Sequence, residues 1–455
     1  MSNVRQERFY QIPFSVQIEG SSFSVADFSN SGLACIGDKA IIDAVGEVVE
    51  AKIIILGREI CTIPLRKVRT EMVQDRQEAK LCLESDAGLP TAKIFSAFEV
   101  ARMLETYASE GDMVCQRFPE VYHKTLEISD LLRYLKEYSQ QNLWERYQYQ
   151  CRQEDFEQGL IESMSVELKA LFDEFYRIFV NLKPSVDDIN LVFQYVRSKL
   201  SDLYGAPAAK RFLDKPLGYA GDYEMMNVIY KNLPEGDSLM ARVVHHYVVN
   251  HDNSKAVRNR IVYLTDKIGK VIQQKKGQTV KILSVASGPA EEVKHLPAYL
   301  EKHGIDAQRV TVNLLDQDLL SLQYAQMNIR SQMASSSSKF NIEFINSGVR
   351  DLLKGRVKLQ DYDLIYSAGL FDYLDDGLVR RLSRMFYEAL APQGLLIIGN
   401  FDHIPENIIF MDALLDWKLI YRTADEMTEL VSVCGGKVQI EREPAGVNIF
   451  ANIQK

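Results

Sequence analysis

The spacing of apolar and polar residues changes character twice along this chain of 455 residues. From Phe9 to about Phe98 apolar side chains recur at every second position, as in Phe14-Ser-Val-Gln-Ile-Glu and Ala51-Lys-Ile-Ile-Ile-Leu, with glycines between the runs. Successive side chains of a strand point to opposite faces, so this period predicts a small antiparallel β domain, a barrel or sandwich, over residues 1–100. From about Val100 to Gln274 the period lengthens to that of a helix, as in Leu131-Leu132-Arg-Tyr134-Leu135-Lys-Glu-Tyr138 and Val166-Glu-Leu168-Lys-Ala-Leu171-Phe172. Breaks at Lys183-Pro184-Ser185 and Leu233-Pro234-Glu235-Gly236 divide it, and a helical linker or cap domain is expected over 101–250. From Thr279 onward short apolar runs alternate with helical stretches: Val280-Lys-Ile-Leu-Ser-Val, Val310-Thr-Val-Asn-Leu-Leu, Asn341-Ile-Glu-Phe-Ile, Tyr362-Asp-Leu-Ile-Tyr and Gly394-Leu-Leu-Ile-Ile-Gly-Asn. That alternation predicts βαβ units and a mostly parallel sheet covered on both faces, over 251–455, with ligands at the carboxyl ends of its strands.

Composition narrows the field of functions. With 46% hydrophobic and 25% charged residues the chain reads as globular, and no apolar run reaches the ~18 residues of a membrane span, so no integral membrane contact is expected. Met1 to Phe9 is polar and lacks the apolar core of a secretory signal, which predicts a cytoplasmic protein. Six cysteines at 35, 61, 82, 115, 151 and 434 form no C-x-x-C pair, so neither a metal nor a redox site is expected. A net charge of 53 − 62 = −9 argues against nucleic acid, whose phosphates demand a basic surface.

The candidate chemistry lies in the last segment. The run ending at Val285 passes through Ala286-Ser287-Gly288-Pro289-Ala290 into a predicted helix from Glu291 to Leu300. A glycine at such a junction lets backbone approach a ligand closely, although the same feature also serves ordinary packing. The next strand ends Leu314-Leu315-Asp316, where an acid can accept hydrogen bonds from both ribose hydroxyls of a nucleoside. Asp318, nearer the helix that starts around Leu319, suits the N-cap instead. Farther on stand Tyr362-Asp363-Leu-Ile-Tyr366-Ser367-Ala368-Gly369-Leu370 and Leu390-Ala391-Pro392-Gln393-Gly394-Leu395-Leu396.

In the order of these features residues ~255–455 resemble the class I S-adenosylmethionine-dependent methyltransferases, down to a Cys434-Gly435-Gly436 turn and a terminal strand Val447-Asn-Ile-Phe-Ala-Asn. The resemblance implies a Rossmann-like α/β fold and S-adenosylmethionine as cofactor. It assigns cofactor binding to Ala286, Ser287, Gly288, Pro289, Asp316, Gln317, Val349, Ser367, Ala368 and Gly369, with Val349 beside the adenine. The chain departs from the family where Ala286 or Ser287 replaces a leading acid, where Gly288 is the single glycine of the loop, and where Asn346-Ser347-Gly348-Val349 lacks the acid often found near adenine. A dinucleotide is a still poorer expectation, because G-x-G-x-x-G is absent. Amide or base nitrogen is a poor acceptor to expect, since Ser367-Ala-Gly-Leu-Phe371-Asp372-Tyr373-Leu374 replaces the Asn- or Asp-Pro-Pro-Tyr of those enzymes.

Upstream, Lys215-Pro216-Leu217-Gly218-Tyr219-Ala220-Gly221-Asp222-Tyr223-Glu224 reads either as a glycine-rich hinge or as a lid. Its Lys-Pro-x-Gly-Tyr-Ala-Gly-Asp run resembles that of bacterial methyltransferases of the 3-hydroxypalmitic acid methyl ester type. This implies O-methylation of a small acidic or lipid-like molecule, with Tyr219, Asp222 and Tyr223 closing the site and Arg258, within Asn253–Arg260, gripping a carboxylate. The adjacent His245 and His246 read as surface or packing residues.

Near the N-terminus, Asp27-Phe28-Ser29-Asn30-Ser31-Gly32 matches the Asp-x-Ser-x-x-Gly element of PilZ domains, barrels that bind cyclic di-GMP. Asp27, Ser29 and Gly32 would then face that ligand. The arginine pair of the family has Glu7 and Gln11 in its place, with Arg5 and Arg8 off register. Two readings stay open: a PilZ-like domain whose ligand binding is lost and which is kept for contact with a protein partner, or one in which Arg5 and Arg8 substitute. The rival for the whole chain is a cyclic di-GMP-responsive adaptor with a non-catalytic methyltransferase fold.

Overall fold

In the computed structural model the residues described are 14–55, 57–73, 78–108, 118–139, 143–183 and 185–455. Two compact units form, Met1–Phe172 with Gly236–Val244 and Asp173–Glu235 with His245–Lys455.

The first unit contains strands β1 (Ser15–Ile18), β2 (Ser21–Phe28), β3 (Gly32–Asp38), helix α1 (Lys39–Ala44), β4 (Val48–Ile55), β5 (Arg58–Met72) and β6 (Glu78–Glu84). They close into a barrel in the order β1-β2-β3-β6-β5-β4. Closure is made by β1, in which Val16 faces Phe23 on one side and Ile53 on the other, all three buried. The period-two pattern is thus an inside-outside alternation, and a closed barrel leaves no edge strand to pair wrongly. The residues expected to face cyclic di-GMP knit these strands together. Asp27 is buried and accepts a hydrogen bond from Lys80 Nζ at 2.6 Å, and the Ser29 hydroxyl contacts Ser31. At Gly32 a side chain would stand 2.2 Å from the Leu83 carbonyl oxygen, so only glycine lets β3 run this close to β6. Arg5 and Arg8 lie outside the described residues.

Helices follow: α2 (Thr91–Ala108), which begins earlier than the β pattern was read to end, α3 (Pro119–Ser139), α4 (Gln153–Asn181), α5 (Val186–Lys199), α6 (Pro207–Asp214), α7 (Tyr223–Lys231), α8 (Leu239–Asn250) and α9 (Asp252–Gln274). The expected breaks at 183–185 and 233–236 separate α4 from α5 and α7 from α8.

The second unit is built on β7 (Val280–Val285), α10 (Glu291–His303), β8 (Val310–Asp316), α11 (Leu319–Ala334), β9 (Asn341–Asn346), α12 (Val349–Leu353), β10 (Tyr362–Ser367), α13 (Asp376–Glu388), β11 (Leu390–Phe401), α14 (Pro405–Ile408), α15 (Ala424–Val431), β12 (Lys437–Arg442) and β13 (Asn448–Gln454). One seven-stranded sheet results, in the order β12-β13-β11-β10-β7-β8-β9. Its strands are parallel except β13, which runs antiparallel to β11 and β12. Two apolar clusters cover the faces. Val293, Leu296 and Leu300 of α10 pack with Leu264 and Ile268 of α9 on one side, and Val379, Leu382 and Phe386 of α13 with Met427 and Leu430 of α15 on the other. Burial on both sides is why the central strands read as unbroken apolar runs. The edge strand β12 was not legible in the sequence. The chain winds outward from β7 to β9, then returns to place β10 on the opposite side of β7, and a crevice opens at that switch point.

Among the described residues, no helix is long and apolar enough to cross a membrane, and no group of three or more His, Cys, Asp or Glu side chains could hold a metal ion.

Candidate functional site

A cavity of about 360 Å³ sits at this switch point, a size within the range of small-molecule sites. The strand ends supply its floor. Residues Ala286 to Pro289 follow β7, Asp316 ends β8 with Gln317 next to it, Ser347 to Val349 follow β9, and Ala368 to Leu370 follow β10. Of the ten residues assigned to the cofactor, nine line the cavity. Ser367 does not: it is buried and its hydroxyl donates to the Val285 carbonyl, tying β10 to β7.

The loop after β7 turns by an unusual route. Ala286, Gly288 and Ala290 all adopt positive φ, at 53°, 55° and 49°. For alanine that conformation is strained by roughly 1–2 kcal/mol, so the turn shape of a multi-glycine loop is kept with one glycine. Asp316 clamps it, its carboxylate accepting from the Gly288 N–H at 2.8 Å and from the Asp318 N–H at 2.8 Å. Burial raises the Asp316 pKa against the effect of those N–H donors. Asp318 caps α11 through the Leu320 and Ser321 N–H groups, as its place in the sequence suggested. The Ser287 hydroxyl is buried without a hydrogen-bond partner, and no atom lies within 4 Å of where a Cβ on Gly288 would stand. Backbone open to the cavity, an unpartnered hydroxyl and a carboxylate at the second strand end fit a nucleoside carrying polar substituents.

The segment between α6 and α7 forms another wall, with Tyr219, Gly221 and Tyr223 on the cavity. Lys215 ends α6 in the left-handed region, and its ammonium pairs with Asp416 at 2.7 Å. Asp222, expected to help close the site, is instead fully buried. It caps α7 through the Met225 N–H and takes a two-pronged contact from Arg211 at 2.8 Å to each oxygen. Burial and the nearby Asp316 and Asp318 push the Tyr219 hydroxyl up to about 12, so it stays a proton donor. Arg258 is likewise placed elsewhere: its guanidinium donates to the carbonyls of Ile229 and Val249 and to the Asn250 side chain. Arg260, two residues later, lines the cavity instead, together with Val257, Ile261 and Leu264 of the same helix face.

Asp372, Tyr373, Trp417 and Glu292 complete the walls, and sequence reasoning did not single them out. Asp372 lies in the turn after β10, which Arg422 holds by donating to the carbonyls of Phe371 and Leu374 and to Asn400. One Asp372 oxygen accepts from the Phe401 N–H at 2.7 Å. Burial pushes this carboxyl up to about 7, against the lowering effects of that N–H and of Arg260 and Arg422. A folded-state pKa above the ordinary value means that the stabilising effect is complete below about 4 and is lost as the pH rises through about 7. Asp372→Asn, uncharged throughout, should therefore gain on the wild type between pH 5 and pH 8, by roughly 2 kcal/mol in denaturant unfolding. A difference that stays constant across that interval refutes this.

Residues 184–451 match the model of a family described as "Putative methyltransferase". No curated protein matches the chain. Among solved structures, the chain is similar to a "possible exported protein" from Bordetella parapertussis, with 19% identity, 51% of this chain and 79% of the other covered, and a TM-score of 0.40. A "putative O-methyltransferase" from Nostoc punctiforme aligns at 16% identity over 75% of this chain and all of the other, with a TM-score of 0.39. Magnesium protoporphyrin IX methyltransferase from Synechocystis, solved with S-adenosylhomocysteine, aligns at 9% identity over 45% and 86%, with a TM-score of 0.33.

Proposed function

Because the chain belongs to the methyltransferase family that its residues 184–451 match, we propose that it transfers a methyl group from S-adenosylmethionine to an oxygen of a small carboxylic acid, a 3-hydroxy fatty acid being the leading example. The observation that carries the cofactor assignment is the convergence, on one cavity, of the open Gly288 backbone, the unpartnered Ser287 hydroxyl and Asp316. Asp316 holds the ribose hydroxyls, Val349 lies against the adenine, and Ala368 and Gly369 border the reacting end. The acid acceptor is inferred from the Lys215–Asp222 run.

S-adenosylmethionine bound there supplies an electrophilic methyl on a sulfonium. A carboxylate is already a nucleophile, so the chain's own task is alignment and exclusion of water. Tyr219, Tyr373 and Trp417 cover the cavity for that purpose, and Tyr219 donates a hydrogen bond without ionising. The N-terminal barrel is a regulatory or docking module, and with Asp27 held by Lys80 we expect no tight binding of cyclic di-GMP.

Calorimetry on the full chain with S-adenosylmethionine and cyclic di-GMP, followed by turnover with methyl-labelled cofactor and 3-hydroxypalmitate, tests this. We expect heat with the first compound, none with the second, and label in the ester. No heat with S-adenosylmethionine defeats the cofactor assignment. Binding without transfer to 3-hydroxypalmitate or to any acid of a fractionated extract defeats the enzyme reading, and tight cyclic di-GMP binding overturns that of the barrel.

A further inference from the structure

We infer that Arg260 is a carboxylate-binding residue of the cavity, the anion being either the amino-acid carboxylate of the cofactor or that of the acceptor; this rests on the methyltransferase reading above. Arg260 projects from the apolar stripe of α9 between Val257 and Ile261 and is 9% exposed. A guanidinium presents five N–H donors, and burial without acceptors is expensive. The other arginines of this region are satisfied: Arg422 by two carbonyls of the turn it holds, the Asn400 side chain and the Asp376 carboxylate, Arg258 by two carbonyls and an amide. Arg260 is not. Among the described residues its Nε is buried with no hydrogen-bond partner, Nη2 meets the thioether Met226 Sδ at 3.3 Å, and the Tyr230 hydroxyl is the one oxygen that interacts with the side chain.

Three carboxylates line the cavity: Asp316 clamps the loop after β7, and neither of the two whose charge acts on Arg260 takes the fork. Glu292 is buried and accepts from the Tyr366 hydroxyl at 2.7 Å, and Asp372 accepts from the Phe401 N–H. Among the described residues no ion pair to Arg260 forms within 4.0 Å, so both acids act on it only through the field. Room for a ligand is kept on the remaining side. A Cβ on Gly369 would stand 3.0 Å from Nη1, so glycine at the end of β10 leaves the edge of the guanidinium clear. A ligand carboxylate arriving there would meet two parallel N–H donors in a water-poor wall, where charge-assisted pairs are strongest. The sequence reading chose Arg258 for this grip, and position in the apolar stripe of α9 selects Arg260 instead.

The test titrates wild type, Arg260→Met and Arg260→Lys with S-adenosylhomocysteine, with 5′-methylthioadenosine, which is the thioether nucleoside without the amino-acid end, and with 3-hydroxypalmitate on the S-adenosylhomocysteine complex. If Arg260 grips the cofactor, Arg260→Met weakens S-adenosylhomocysteine roughly 10- to 100-fold and leaves 5′-methylthioadenosine unchanged. If it grips the acceptor, S-adenosylhomocysteine is unchanged and 3-hydroxypalmitate loses a similar factor. Arg260→Lys keeps the charge without the fork and should lose less, and it carries the test if the methionine variant does not fold. Unchanged binding of both carboxylate ligands overturns the inference, as does an equal loss for the two nucleosides. A wild type that binds neither nucleoside overturns the methyltransferase reading itself.

Discussion

Gly288→Val is expected to weaken S-adenosylmethionine binding by more than about 100-fold, because the new side chain would occupy the cavity rather than protein. No atom lies within 4 Å of its Cβ position, so the unliganded chain can house it. The backbone penalty is separate: at φ +55° a β-branched residue is strained, by roughly 1–3 kcal/mol. Gly304 supplies the control. It ends α10 at φ +62° with equally open surroundings and does not line the cavity. Gly304→Val should lower the melting temperature by a similar amount and leave binding intact. Calorimetry and thermal unfolding of the pair separate the two effects, and equal binding losses in both variants would show that strain, not the cavity, is responsible.

How much of this was legible in the sequence depended on the range of the interaction that fixes each feature. Strands β7, β8 and β10 were readable because burial on both faces makes them apolar nearly throughout, and the cap at Asp318 because capping is a contact of two or three residues. The loop after β7 was half legible. One glycine in place of several stood out as a departure from the family, whereas Ala286 and Ala290 adopt the left-handed conformation themselves and Asp316 holds the turn from 28 residues away. Asp222 looked like site chemistry because an acid among glycines and tyrosines exceeds what a turn requires. Its partner Arg211 stands eleven residues upstream on α6, and no local pattern announces that pairing. Trp417 and Asp372 were missed because they reach the cavity from turns whose course is set by the sheet.

The same long-range packing makes Gly221→Ala the second large effect. Gly221 has an ordinary backbone, so the demand for glycine there is one of space: a Cβ would stand 2.5 Å from the Tyr373 hydroxyl and 2.8 Å from Cζ2 of Trp417. Those two side chains are joined by a hydrogen bond of 2.7 Å from Trp417 Nε1, and the indole packs on Phe212 at a centroid distance of 5.0 Å. The segment cannot slide away, because Lys215 ties one end to Asp416 and Arg211 ties the other at Asp222. The rings must therefore give, and with them the wall of the cavity. Overpacking of this kind typically destabilises by ~1–3 kcal/mol, and binding of S-adenosylmethionine should fall with it. A double-mutant cycle isolates the contact, since Trp417→Phe removes both the ring atom at 2.8 Å and the indole N–H that holds the Tyr373 hydroxyl in the way of the methyl. In that background Gly221→Ala should lose at least half of its effect on stability, whereas strict additivity of the two substitutions would show that the glycine serves something other than the indole.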